Sequence, residues 1–384
     1  MYAQHGHELR RIKIKLINYR RFAICHRLIV ATALAMCTAG PGLANASGWN
    51  AGPAMTYARS GAGTVVLPNG NILVVGGVDA NRSAFAYYSA DLYDPVANTW
   101  TLTPYSSAAH YLPGVAVMQN GNVLVAGGLS AAGIQTVVEI YMPATNRWAA
   151  ASTLRQARFG LTLTVLQDGS VLAAGGVTTN GTPQATVEIY NPNTNIWTTA
   201  ASLATARRDH TATLLGNGRV LVAGGEGVGG LKLPNAELYD PTTNTWSPAG
   251  NLTGVRSWHT ANLLGNGNVL VVGGAGDNGP VATAEIYSIA NNTWGYAGRL
   301  SFARQQHTAV TLASGKVLVA GGFPATTTAT QIFDPATNTW STAGSLMQGR
   351  YIHGAGLASN GKAILAGGSN SSNGKLSSVE IYSE

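Results

Sequence analysis

The sequence predicts an all-β protein, a seven-bladed β-propeller built from four-stranded blades. Three recurring features indicate this fold. A Gly-Gly pair begins at residues 76, 127, 175, 224, 273, 321 and 367. A tryptophan recurs with nearly the same spacing, at residues 49, 100, 148, 197, 246, 294 and 340. A turn dipeptide of the Asn-Gly type precedes each Gly-Gly pair and predicts a two-residue hairpin turn. Repetition at a period near 50 residues is typical of propellers and other repeat architectures.

Each repeat is predicted to form four strands. In the fourth repeat the first strand is "HTATLL", at residues 210–215, whose small residues suit a crowded position near the axis. The second is the apolar "VLVAGG", at residues 220–225, as expected of a strand covered on both faces. The third is "AELYDP", at residues 236–241, and the fourth carries the tryptophan. One such sheet cannot bury both faces, but seven packed radially can. Two β-sandwiches would not explain seven equal units.

The two ends of the repeat array complement each other. The last repeat stops at Tyr382 without a fourth strand, whereas Trp49 stands before any first strand. We therefore expect the segment "GWNA", at residues 48–51, to supply the outer strand of the last blade and close the ring.

The repeat resembles the Kelch motif in its Gly-Gly pair, its Glu/Asp-x-Tyr and its tryptophan after a polar turn. The segments "VEIYNPNTNIW", at residues 187–197, and "AELYDPTTNTW", at residues 236–246, carry the resemblance most clearly. It covers residues 49–384 and implies a propeller of Kelch blades. It implies little about function, because Kelch propellers include enzymes, ligand binders and protein-binding scaffolds.

Residues 1–46 have the pattern of a cleaved signal peptide. A basic stretch ends near Arg27, an apolar run covers residues 28–39, and small residues precede a cut after Ala46. The apolar run is too short to span a bilayer. We expect a secreted or periplasmic protein whose mature part, residues 47–384, is a monomeric propeller without stable membrane insertion.

The charge distribution argues against nucleic acid as a partner. Residues 1–46 hold seven of the 23 Lys and Arg and one of the 16 acidic residues, which leaves 16 basic and 15 acidic residues in the mature part. A nearly neutral body lacks the basic surface that a phosphate backbone requires.

A basic residue stands ten positions before the turn in every repeat, near the start of the first strand. The seven are Arg59, His110, Arg158, Arg207, Arg256, Arg304 and Arg350. One interpretation is a ring at a channel mouth that binds an anionic ligand. The other is scaffolding, because each third strand offers a partner: Asp91, Glu139, Glu188, Glu237, Glu285, Gln331 and Glu380. Recurrence in every blade favours scaffolding, and the pairing fails only at Arg304, which faces Gln331.

The residues just after this set differ between repeats and are candidates for ligand contact. They are Tyr111, Phe159, Arg208 with Asp209, Trp258, Gln305 with Gln306, and Tyr351. Aromatic faces beside polar side chains suit a sugar or small-molecule site, whereas the alternative is packing between blades. The loops after the Gly-Gly pairs should open on the same face. Candidate residues there are Asp79, Arg82, Phe85, Tyr87, Tyr88, Glu226 and Lys232.

Four histidines follow three residues after the basic set in the last four repeats. They are His210, His259, His307 and His353. They come from different blades, so convergence on one metal ion is not expected, and hydrogen bonds to neighbouring strands are favoured. We expect no metal and no cofactor.

These observations favour a binding module that recognises a carbohydrate or a protein through one face of the ring. The alternative is a sugar-modifying enzyme, of an epimerase, mutarotase or lyase type, at an Arg-rich mouth. Both cysteines, Cys25 and Cys37, precede the predicted cut, so the mature chain has none. The Tyr–Cys crosslink of galactose-oxidase-like enzymes, which share the Kelch propeller, therefore cannot form.

Overall fold

Seven four-stranded antiparallel sheets are present in the computed structural model, which describes residues 48–78, 87–324, 327–372 and 374–384. Each inner strand contacts the inner strands of both neighbouring sheets, so the sheets close into a propeller ring. The predicted all-β, seven-bladed fold is confirmed. Helical structure in the described residues is limited to a single 3-10 turn, Val228–Gly230. No helix among these residues is long and apolar enough to cross a membrane.

The strands of the first four blades are given from the inner to the outer strand. Blade 1 contains Gly63–Val66, Ile72–Val75, Ala90–Asp94 and Thr99–Leu102. Blade 2 contains Gly114–Val117, Val123–Ala126, Val138–Met142 and Arg147–Ala150. Blade 3 contains Thr162–Val165, Val171–Ala174, Val187–Asn191 and Ile196–Ala200. Blade 4 contains Thr211–Leu214, Val220–Ala223, Asn235–Asp240 and Thr245–Asn251.

The remaining blades follow the same order. Blade 5 contains Thr260–Leu263, Val269–Val272, Thr283–Ser288 and Thr293–Arg299. Blade 6 contains Thr308–Thr311, Val317–Ala320, Ala329–Asp334 and Thr339–Ser345. Blade 7 contains Gly354–Leu357, Ala363–Ala366, Val379–Ser383 and Gly48–Gly52. Two-residue hairpins in three loops pair Leu129–Ser130 with Gly133–Ile134, Ala275–Gly276 with Gly279–Pro280, and Ser369–Asn370 with Gly374–Lys375.

The ring closes through its N-terminal strand, as the sequence predicts. Gly48–Gly52 pairs with Val379–Ser383 in blade 7, and Trp49 lies opposite Tyr382. The two rings are 5.2 Å apart. The indole Nε1 of Trp49 also donates to Thr330 Oγ1 of blade 6 at 2.9 Å. The first and last strands of the propeller therefore share one sheet and bridge to the adjacent blade.

The hydrophobic core lies within and between the blades. The second strand of every blade is completely buried, as its uninterrupted apolar sequence predicts. On the third strand an aromatic ring packs against the outer-strand tryptophan in each blade, with ring centroids 5.0–5.2 Å apart.

The Gly-Gly pairs are explained by contacts between blades. Gly224 has a φ of +59°, and a Cβ there would lie 2.6 Å from the carbonyl oxygen of Arg256 in the next blade. The following N–H, of Gly225, donates to that oxygen at 2.8 Å. The equivalent bond joins every pair of neighbouring blades at 2.7–2.9 Å. A side chain at the first glycine would force the blades apart.

The hairpin between the first two strands is longer than expected. In blade 4, Leu215 and Arg219 bond across a three-residue loop, residues 216–218. Only Gly218 has a positive φ, of +83°. Asn217 instead accepts the N–H of Arg219 through its side chain at 3.1 Å. The two-residue turn expected from the dipeptide is therefore wrong, because the asparagine stabilises the loop through its side chain and needs no left-handed backbone.

Candidate functional site

The recurring basic side chains are enclosed within their blades. All seven are at most 1% exposed. In blade 3, Arg158 Nη2 lies 2.6 Å from Glu188 Oε1, and Nη1 donates to the carbonyl oxygens of Gly175 and Thr186, both at 3.0 Å. Burial lowers the pKa of Arg158, and the charge of Glu188 opposes that shift. This arrangement ties the start of the inner strand to the second and third strands.

The same pairing occurs in six of the seven blades. The partners, with their distances, are Arg59–Asp91 2.5 Å, His110–Glu139 3.0 Å, Arg158–Glu188 2.6 Å, Arg207–Glu237 2.6 Å, Arg256–Glu285 2.5 Å and Arg350–Glu380 2.8 Å. The carboxylates also accept N–H groups of the loop that enters the blade, as Glu188 does from Arg155 at 2.8 Å. The geometry matches the scaffolding interpretation and leaves these groups no surface for a ligand.

Blade 6 is the exception, at the position where the sequence places Gln331. Arg304 is fully buried, and its Nη1 keeps the two carbonyl contacts, to Gly321 and Ala329 at 3.0 Å. Its Nη2 and Nε have no hydrogen-bond partner within the described part of the chain. Burial lowers the pKa of Arg304 to about 10, so the side chain remains a cation at neutral pH.

The four histidines join neighbouring blades. Their Nε2 atoms lie 2.8–3.1 Å from threonine hydroxyls on the inner strand of the preceding blade. Burial lowers their pKa values, to about 3 for His259, so they are neutral. Among the described residues no group of three or more His, Cys, Asp and Glu could hold a metal ion.

A closed ring of backbone hydrogen bonds surrounds the axis two residues after the basic set. Each N–H donates to the carbonyl oxygen of the equivalent residue in the preceding blade, at 2.9–3.3 Å, and the seventh bond returns to blade 1. All seven residues have a positive φ, of 49–69°. We call this set the backbone ring: Gly61, Leu112, Gly160, Asp209, Trp258, Gln306 and Ile352.

The side chains on and beside the backbone ring are not equivalent, and most of them are partly exposed. Tyr111, Phe159, Arg208, Trp258 and Tyr351 are each half-buried. The loops after the Gly-Gly pairs and the loops between blades lie on the same side of the sheets as the backbone ring, and we call this side the loop face. Among the candidates just after the basic set, Gln305 is half-buried as well, whereas Gln306 is buried, so a ligand can reach the aromatic residues, Arg208 and Gln305.

A charged cluster occupies the blade 4 segment of this site. Arg208 and Lys232 both bond the carboxylate of Glu226. Asp209 lies beside them, with its Oδ2 3.5 Å from Arg208 Nε and without a hydrogen bond. Its side chain is 3% exposed, and burial raises its pKa to about 7 despite the opposing charge of Arg208. Two basic and two acidic groups leave the cluster nearly neutral.

Three predicted site residues lie outside the described part of the chain, and one feature of the site, the burial of Asp209, was not predicted. Asp79, Arg82 and Phe85 lie outside the described residues, as does the predicted signal peptide. Tyr87 is buried and stacks on Tyr57 at 5.4 Å, whereas Tyr88 is half exposed. The burial of Asp209 was missed, because the residues at its position in the repeats share no chemical type. Gly160 of the preceding blade is one of its neighbours and accepts the backbone N–H of Asp209 at 3.3 Å.

The fold and its recurring contacts define a Kelch-type propeller. The sequence model described as the KLHDC2/KLHL20/DRC7 Kelch-repeats domain matches residues 160–368. This is more than half of the chain, which therefore belongs to the family of Kelch-repeat proteins.

Comparison with solved structures extends the similarity in fold. One such structure is described as a novel fungal alcohol oxidase with catalytic diversity among the AA5 family, in complex with copper. It is 19% identical in sequence, with a TM-score of 0.71 over 87% of this chain and 75% of that chain. The likeness concerns the fold alone. A comparison with curated proteins finds no match.

Proposed function

We propose that this Kelch propeller is a binding module that binds a neutral, hydroxyl-rich ligand of the carbohydrate class over the backbone ring. The observation that carries the proposal is the contrast at this ring. Its backbone is the same in all seven blades, whereas its side chains differ and include aromatic rings beside the buried carboxyl of Asp209. A repeat protein keeps its packing residues alike, so side chains that vary at an accessible mouth are available for recognition.

The chemistry of the mouth favours a neutral ligand over an acidic one. The recurring arginines, which suggested an anionic ligand, are all enclosed, and all but Arg304 are paired with a carboxylate of their own blade. The Arg208 cluster carries balanced charge. What remains accessible is an aromatic surface at Trp258, Tyr111 and Tyr351 together with polar groups, the combination that binds the faces and hydroxyls of a sugar. The enzyme alternative loses its Arg-rich surface for the same reason.

The test is a binding screen of the purified protein by calorimetry against neutral, amino and acidic sugars. Trp258→Ala should weaken binding of a neutral sugar at least about tenfold, which corresponds to about 1.4 kcal/mol. Tyr296→Ala removes a 64% exposed aromatic ring from the outer strand of blade 5 and is the matched control. Binding that is confined to acidic sugars, or that is equally strong in the Trp258 variant, would contradict the proposal.

A protein ligand is the second candidate, favoured by apolar side chains exposed on the loop face. They are Val228, Leu231, Phe302 and Met347, each 54–68% exposed. Scattered exposed apolar residues are common, but several on one face also mark binding surfaces. Under this candidate, sugars leave the melting temperature unchanged, and substitutions of these side chains by serine abolish capture of a partner by the immobilised propeller.

Export is part of the proposal and rests on the signal-peptide pattern of residues 1–46. It is tested by expressing the full chain in a bacterium with an intact secretion system and measuring the mass of the protein outside the cytoplasm. A mature N-terminus at Ser47 supports export, whereas an uncleaved chain in the cytoplasm contradicts it.

A further inference from the structure

Blade 6 lacks the negative charge that every other blade places beside its buried basic residue. In blade 3 the carboxylate of Glu188 bonds both Arg158 and the entering loop. In blade 6 the only oxygen of the Gln331 side chain accepts the N–H of Ser301 at 2.8 Å. The atom left to face Arg304 is then an amide nitrogen, which cannot accept a hydrogen bond. If the Gln331 amide were rotated by 180°, its oxygen would accept from Arg304, but its nitrogen would then face the N–H of Ser301, and two donors would oppose each other.

A second partner of the arginine is also missing in blade 6. In four other blades Nη2 lies 3.1–3.3 Å from the hydroxyl of a serine or threonine at the start of the third strand or one residue before it: Ser89, Thr186, Thr283 and Ser378. The equivalent residue in blade 6 is Ala329. Alanine has no hydroxyl and is smaller than serine or threonine, so this acceptor is absent from blade 6. The two substitutions occur in the same blade and affect the same guanidinium nitrogen.

Two residues close to Arg304 are open to solvent, although the guanidinium itself is enclosed. Ala329 is partly exposed, and the neighbouring Phe302 is 54% exposed. Arg304 itself is fully buried, with Nη2 unpartnered within the described residues. A buried charge is costly unless a counter-charge accompanies it. Blade 6 therefore has a buried cation with unpartnered N–H donors, and its described residues place no carboxylate against it.

We propose that a small monovalent anion, such as chloride, binds beside Arg304 Nη2, between Gln331 and Ala329. It supplies the charge that the other blades obtain from their own carboxylates. The site is independent of the ligand site at the backbone ring, because it belongs to the inner layer of one blade. Removal of the anion site would therefore leave ligand binding at the backbone ring unchanged.

Chloride dependence of stability tests the site in the full-length protein. The melting temperature is measured against sodium chloride at constant ionic strength, balanced with sodium methanesulfonate, whose anion is larger. A ligand that binds only the folded state raises the melting temperature as its concentration exceeds the dissociation constant. We expect this rise in the wild-type protein. In Gln331→Glu we expect a higher melting temperature without chloride and no further rise with it.

A gain-of-site variant provides the matched control. Glu188→Gln combined with Thr186→Ala copies the blade 6 arrangement into blade 3 and should enlarge the chloride response. Crystals of the wild-type protein grown in bromide should show anomalous density beside Arg304 Nη2. An equal chloride response in wild type and Gln331→Glu would overturn the proposal. So would a wild-type melting temperature that does not depend on chloride, or bromide density only at other positions.

Discussion

Closure of the ring by Trp49 can be tested through stability. The substitution Trp49→Ala removes the ring that packs on Tyr382 at 5.2 Å and the hydrogen bond to Thr330 at 2.9 Å. Truncation of a buried tryptophan costs roughly 3–5 kcal/mol. Because Trp49 is half-buried, the lower end, about 3 kcal/mol, is expected.

Urea denaturation followed by circular dichroism measures this loss as a lower transition midpoint at an unchanged slope. Asn50→Ala is the matched control, because Asn50 lies on the same strand but is exposed. Its midpoint should stay near that of the wild type. If the two variants unfold at the same urea concentration, the strand Gly48–Gly52 does not hold the ring closed and the reasoning fails.

Three further predictions follow from buried groups. The pKa of Asp209 is raised to about 7, so the protein loses stability as pH rises from about 4 to about 7, by roughly 4 kcal/mol in total. Asp209→Asn should therefore stabilise the protein more at pH 8 than at pH 5, as measured by urea titration. An equal gain at both pH values would refute this prediction. Glu188→Gln should cost roughly 3–5 kcal/mol by leaving a buried cation unpaired, and an unchanged melting temperature would show that the pair is not needed. Gly224→Ala should abolish soluble expression through its clash with Arg256, whereas Gly229→Ala, at a φ of +76° in open space, should only lower the melting temperature slightly.

The strands, the number of blades and the closing strand could all be predicted from the amino-acid sequence. These features depend on local signals, namely turn residues, apolar runs and their period, together with the unmatched ends at Trp49 and Tyr382. It also identified the partners of the basic residues and the exception at Arg304, because recurrence in seven repeats can be read along the chain.

The accessibility of these residues could not be predicted from the sequence and became known from the packing of the blades. Arg158 is enclosed by contacts with residues 17–30 positions away in its own blade, whereas the backbone ring joins residues of neighbouring blades, and Asp209 is buried beside that ring. Burial and backbone conformation at such contacts depend on how the sheets pack, and the residue types at the ring positions carry no shared signal. Desolvation, which sets the pKa of Asp209, is a property of that packing and has no counterpart in the sequence of one repeat.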